Sequence, residues 1–208
     1  LCALLEVQRS GEGQVVDAAM VDGSITLTTM FHSMMAMGMW TPERGSNLLD
    51  GAAPFYSIYE TSDGEHMAVG PIEPKFYVHL LDGLDLLNAD LPAQYDQSQW
   101  PALKERLATA FRTKTRSEWS EIFEERDACV YPVLSLQEAA QHPHNVARKN
   151  FVEVNGVTQP APAPRFERTP AGQPRPAAAV GEHTDEILDA LGYGPEKIGA
   201  LRTAGAVG

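Results

Sequence analysis

Between Phe55 and Leu87 the chain changes its periodicity twice, and this change limits the folds open to it. Phe55-Tyr-Ser-Ile-Tyr59 and Glu65-His-Met-Ala-Val69 read as short strands on either side of Ser62-Asp63-Gly64. Asp-Gly supplies the positive φ of a tight antiparallel turn, so a hairpin is predicted. Beyond it, Phe76, Leu80, Leu81, Leu84 and Leu87 recur at helical spacing, which predicts an amphipathic helix over 75–87. Two further helices are expected at 101–111 and 117–125, the second with Ser117 as its N-cap. Cys129-Val-Tyr-Pro-Val-Leu134 reads as a strand, and Pro132 confines it to a sheet edge. Ser135 then caps a short helix reaching Gln141. Residues 51–147 thus read as a compact α+β unit.

The flanks differ in character. Leu1-Cys-Ala-Leu-Leu-Glu6 reads as the last turns of a helix already under way, so the chain is expected to be the back part of something longer. A turn at 10–13 and a short strand at 14–16 follow. Asp17 is the expected N-cap of a long helix over 18–40, stopped by Thr41-Pro42. Residues 44–54 are a linker by composition, rich in Gly, Asn and Asp. After Arg148 a strand is expected at 151–154, with a turn beginning at Gly156. Residues 158–179 are rich in Pro and Ala and should run extended. Thr184 is the expected cap of a helix with Asp185 and Glu186 in its first turn and Gly192 at its end. Pro195 opens a last helix that Gly205 closes. The blocks are therefore 1–50, 51–147 and 148–208, and the third cannot bury itself.

Composition removes several classes of function. With 28 acidic against 16 basic residues the net charge is −12, which argues against nucleic acid and against an anionic membrane surface. An anionic small molecule would need a local basic pocket. Two distant cysteines form no disulfide framework and suggest a reducing, cytoplasmic setting. No apolar run approaches the roughly 18 residues that span a bilayer. Gly11-Glu-Gly13 lacks the third glycine of a dinucleotide fingerprint, and no Walker, nucleophile-elbow or His-Glu-x-x-His motif occurs. His142-Pro-His144 has no Cys or acidic partner nearby, so it reads as a helix-ending turn and no metal is expected.

Two features remain. Met30, Met34, Met35, Met37 and Met39 fall within ten residues, on two faces of the expected helix. Core filling explains them; a pliable surface for apolar ligands of varied shape explains them as well. The second feature is Glu73 between Pro71 and Pro74. A residue before proline is extended, and Pro74 suits the first helical position, so Glu73 occupies the N-cap slot. That slot prefers Ser, Thr, Asp or Asn. Glu73 should instead project outward from a rigid strand-to-helix corner. A favourable charge at a helix start also accounts for it, as it does for Asp17 and Asp22. His32 reads as an outward polar residue.

Taken together, Gly13-Gln-Val-Val-Asp-Ala-Ala-Met-Val-Asp-Gly23, Leu49-Asp-Gly-Ala-Ala-Pro-Phe-Tyr56 and Asp127-Ala-Cys-Val-Tyr-Pro-Val-Leu134 resemble the family III CoA-transferase (CaiB/BaiF) superfamily. His142–Arg148 and Gly181-Glu-His-Thr-Asp-Glu186 extend the resemblance over nearly the whole chain. Ile72-Glu73-Pro74 and the methionine-rich stretch look like its α-methylacyl-CoA racemase branch. The resemblance implies an α/β fold of two domains, of which this chain is the C-terminal half. Residues 1–50 would close the large domain and link it to the small α+β domain, and 148–208 would return to the large one. It implies racemisation of 2-methylacyl-CoA thioesters through an enolate, without cofactor, in an interlocked homodimer. Glu73 would be its catalytic-site carboxylate, hydrogen-bonded to a histidine of the other subunit, and Met30, Met34, Met35, Met37 and Met39 would touch the acyl chain. The family's acid/base histidine and aspartate belong to the preceding half and match no residue here, so this chain alone is expected to be inactive. Two other readings stay open: a CoA-transferase with an upstream aspartyl nucleophile, and a non-catalytic module offering dimer and acyl-binding surfaces.

Overall fold

Gly64 adopts a positive φ of 77°, and around it β1 (Ser57–Glu60) pairs antiparallel with β2 (His66–Val69). This hairpin, as expected, organises the first part of the computed structural model, which describes residues 1–207. β3 (Val130–Pro132) adds to the far side of β2, giving the order β1-β2-β3. Pro132 has no N–H to donate, and it sits on an edge strand as predicted. Strand alternation turns Tyr59, Met67, Val69 and Val130 into the core, while Ile58 and Tyr131 face outward.

Three helices close the core side: α4 (Pro74–Gly83), α5 (Trp100–Phe111) and α6 (Arg116–Glu124). Leu80, Leu103, Leu107, Phe111 and Trp119 are all but fully buried among them. Burial of each contributes roughly 1.5–3 kcal/mol, the main force holding sheet to helices. Phe111 is the hub, stacked on Tyr59 at 5.1 Å and meeting Trp119 edge-on at 5.3 Å. At Gly83 a Cβ would lie 2.4 Å from the Phe123 ring, so α4 and α6 approach as closely as they do because glycine stands there.

Helix α6 begins earlier than expected. Thr115, not Ser117, is the N-cap, in a reciprocal capping box with Glu118. The hairpin tip also contributes, since Asp63 accepts the Arg116 amide at 3.2 Å.

The N-terminal segment departs most from expectation. It forms α1 (Cys2–Ser10), α2 (Met20–Leu27) and α3 (Thr29–Ala36) rather than one long helix after a strand. Residues 14–16 form no strand, and Asp17 does not cap α2, whose N-cap is Ala19. The break falls at Thr28, where three threonine hydroxyls bond back to carbonyls of the preceding turn: Thr26 to Asp22, Thr28 to Ile25 and Thr29 to Thr26. Such bonds compete with the helical ladder. The following linker is ordered around buried Asn47, which donates to Asp50 Oδ2 at 2.8 Å and accepts the Thr41 amide at 2.8 Å.

These elements belong to one unit, Leu1–Val133; a second begins at Leu134. There Ser135 caps α7 (Leu136–Gln141) as expected, in a capping box that Glu138 completes, and α8 (Pro143–Ala147) follows. β4 (Phe151–Val154) pairs with β5 (Val157–Pro160) across Asn155-Gly156, both at positive φ. The second strand was expected to be featureless extended chain. No helix or strand occurs from 161 to 183. His183, not Thr184, is the N-cap of α9 (Thr184–Ala190). α10 (Pro195–Thr203) opens on proline as expected. No helix of the described residues is long and apolar enough to cross a membrane.

Candidate functional site at the strand-to-helix corner

Where β2 gives way to α4, two prolines strip the backbone of donors. Gly70 still bonds the Cys129 carbonyl at 2.9 Å, the last rung of the sheet. Glu73 then holds extended geometry (φ −72°, ψ 138°), and its carbonyl accepts the Tyr77 amide at 3.1 Å to begin the helix. Its side chain makes no cap hydrogen bond, and Pro74 takes the first helical turn. The carboxylate is exposed, as expected of a glutamate too long for this slot. What the corner offers chemically is an exposed carboxylate on an extended backbone followed by proline.

Beside the corner, the outer face of the sheet forms an apolar cleft of about 550 Å³ lined by Tyr56, Ile58, Ala68, Cys129 and Tyr131 among others. Cys129 links cleft to corner. Burial pushes its thiol up, Asp127 and Glu73 add to this, and Lys75 opposes them. The thiol is therefore held in its neutral form, a weak nucleophile. Cys129 also adopts φ 50°, unusual for a residue with a side chain. Lys75 itself lies over the Phe76 ring at 4.3 Å.

The methionines lie elsewhere in the unit. Met30, Met34 and Met35 are on α3, and Met37 and Met39 on the turn after it; none of the five is buried and none lines the cleft. Among the described residues no three His, Cys, Asp or Glu side chains gather as a metal site.

Sequence reasoning did not find the cleft, nor the residues holding the corner from behind. Gln94 donates through Nε2 to the carbonyls of Pro71 (3.1 Å) and Ile72 (2.8 Å), and Tyr95 donates to Ile72 at 2.5 Å. The alternation of Tyr56 and Ile58 carried a signal for the cleft wall. Gln94 and Tyr95 sit in a loop without periodicity and carried none.

A family model described as CoA-transferase family III matches residues 1–184. The chain is 46% identical over 198 residues to the alpha-methylacyl-CoA racemase of Mus musculus, covering 94% of this chain and 52% of that protein. To that of Homo sapiens it is 43% identical over 206 residues, covering 98% and 54%. The chain thus spans about half the length of these racemases. A CAIB/BAIF family protein from Brucella suis has the same fold, with a TM-score of 0.69 at 18% identity over 91% of this chain and 51% of that one.

Proposed function

Because this chain belongs to CoA-transferase family III, we propose that the protein in its full natural length racemises 2-methylacyl-CoA thioesters. The observation that carries this reading is 43–46% identity over nearly the whole chain to proteins named alpha-methylacyl-CoA racemase. The reaction takes the α-proton from one face of the thioester, leaving an enolate, and returns a proton to the other face. No electrons change hands, so the chemistry calls for two acid/base groups flanking one carbon and donors at the enolate oxygen.

Within this scheme Glu73 is the supporting carboxylate. It accepts a hydrogen bond from the acid/base imidazole, fixing its tautomer and stabilising its charged form. The imidazole belongs to the other subunit of an interlocked homodimer. Support comes from the corner's geometry: a carboxylate with no cap to make, on extended backbone between prolines. The apolar methionine surface of α3 receives the acyl chain, a role suited to exposed, flexible thioethers.

The test is α-proton exchange of a 2-methylacyl-CoA in D2O with the full-length protein and its Glu73→Gln variant. Exchange is expected in the former and at least about tenfold slower in the latter, roughly 1.4 kcal/mol of barrier. Unchanged exchange in the variant refutes the role of Glu73. CoA transfer between carboxylic acids with no exchange refutes racemisation in favour of a transferase.

A further inference from the structure

The corner carries more hydrogen bonding than its polar groups require. Pro71 and Pro74 lack N–H groups, and the Ile72 amide is spent on Gly70 at 2.9 Å, so the carbonyls of Pro71 and Ile72 have no place in a strand or helix ladder. Water could satisfy them at an open corner. Instead Gln94 takes both, and Tyr95 adds a second donor to Ile72. Gln94 is 9% exposed and is itself anchored, its carbonyl accepting the Trp100 indole N–H at 3.0 Å. Trp100 is buried, and the Phe55 ring meets Trp100, Tyr95 and Tyr77 edge-on at 5.8, 5.4 and 5.9 Å. A continuous line of contacts therefore runs from the aromatic core, through Gln94, to the peptide that enters Glu73.

That peptide is the important one. The Ile72 carbonyl shares a rigid plane with the Glu73 N–H, so fixing its oxygen fixes the direction in which the Glu73 N–Cα bond leaves. On the other side, Pro74 restricts the Glu73 backbone to extended values. Clamp and proline together set the Cα–Cβ vector of a side chain that makes no cap hydrogen bond to orient it. Tyr95 is the telling member. Half of its surface is exposed, and a tyrosine hydroxyl at the surface loses little by bonding water, yet it points inward to a carbonyl that Gln94 already serves.

We propose that Gln94 and Tyr95 are positioning residues that hold the Ile72–Glu73 peptide and so aim the Glu73 carboxylate at the imidazole it supports. The proposal rests on the role given to Glu73 above. Neither residue touches substrate. Their effect passes entirely through Glu73, and a displacement of the order of 1 Å at a catalytic hydrogen bond is enough to slow a reaction severely. A loosened carboxylate also stabilises the imidazolium less, so the acidic limb of the pH–rate profile moves to lower pH.

The experiment compares α-proton exchange in the full-length protein and in Tyr95→Phe, Gln94→Asn, Glu73→Gln and the double variant Tyr95→Phe/Glu73→Gln. Tyr95→Phe keeps the ring that packs on Phe55 and removes one bond, so it stays folded even where Gln94→Asn does not. Its kcat is expected to fall roughly three- to tenfold with KM little changed, and its acidic limb to move in the same direction as that of Glu73→Gln. Once Glu73 is Gln, adding Tyr95→Phe should cost less than about twofold, the non-additivity of two residues acting through one group. Losses that multiply in the double variant overturn the proposal, as does a wild-type rate and limb in Tyr95→Phe while Glu73→Gln is slow. An unaffected Glu73→Gln enzyme removes the reading of Glu73 and the proposal with it.

Discussion

Tyr77, one turn into α4, buries a hydroxyl that finds no hydrogen-bond partner among the described residues. Burial pushes its ionisation up, and an unsatisfied buried donor costs about 1–3 kcal/mol. Its neighbour Tyr59 is equally dry but donates to the Pro54 carbonyl at 2.6 Å; burial first, and then Tyr77, push its phenol up. The two should respond oppositely to loss of the oxygen. Tyr77→Phe is expected to leave the urea midpoint unchanged or raise it, whereas Tyr59→Phe loses about 0.5–1.5 kcal/mol. Destabilisation by Tyr77→Phe beyond that of Tyr59→Phe would show its hydroxyl to be partnered. The helical spacing pointed to Phe76, which is half-buried, where the structure buries Tyr77, and Tyr59 was read only as part of a strand. Which hydroxyl is satisfied was not legible either, because the Pro54 carbonyl arrives from a segment without period. Glu73 was legible in part: the flanking prolines announced its backbone, while Gln94, more than twenty residues on, supports it without any local signal.

Among the elements, the β1–β2 turn and the start of α6 form one acid-sensitive junction. Asp63 accepts the Thr61 hydroxyl at 2.5 Å and the Arg116 amide, and the Thr61 bond is the main reason its carboxyl is held below the usual range. Glu118 is lowered too, first by the Thr115 amide and then by the Thr115 hydroxyl. A carboxyl depressed in the folded state favours folding when charged, so its contribution is complete above the unfolded value near pH 4. It is lost as pH falls through the lower folded value. Thermal midpoints should therefore decline below about pH 4. The decline should be shallower in Asp63→Asn, whose amide oxygen still accepts both bonds but does not titrate. Equal slopes in the two proteins would exclude Asp63 from the acid response. This junction also holds a missed boundary. Ser117 looked like the cap by position, but Thr115 stands three residues before Glu118 and forms the capping box with it, while the Arg116 amide is met besides by Asp63 from the hairpin tip. In α7, which has the same kind of box with Glu138, the cap Ser135 was read directly. The split between α2 and α3 was written in Thr26, Thr28 and Thr29, whose back-bonding outweighs an otherwise helical pattern.

At the scale of the molecule, the mixed α/β architecture was legible because hairpin, corner and helix follow one another with clear changes of period. The use of the methionines was not. Periodicity reports which residues share a face and is silent about what covers that face. Met30, Met35, Met37 and Met39 are 51%, 41%, 63% and 61% exposed, so core filling within this chain does not account for them. The proposed racemase gives them an acyl chain to meet, and chain length is the variable that tests it. Each methylene moved from water onto an apolar surface is worth about 0.8 kcal/mol, close to fourfold in affinity. In the full-length protein, KM should therefore fall steeply as the 2-methylacyl chain lengthens. Replacing Met30 and Met37 by Ser should flatten that dependence while leaving the shortest substrate near its original KM, since exposed positions tolerate the change without unfolding. A loss of equal size for short and long chains would mean that the substitutions act on the thioester or on folding, and the methionines would then need a protein surface, not a substrate, to cover them.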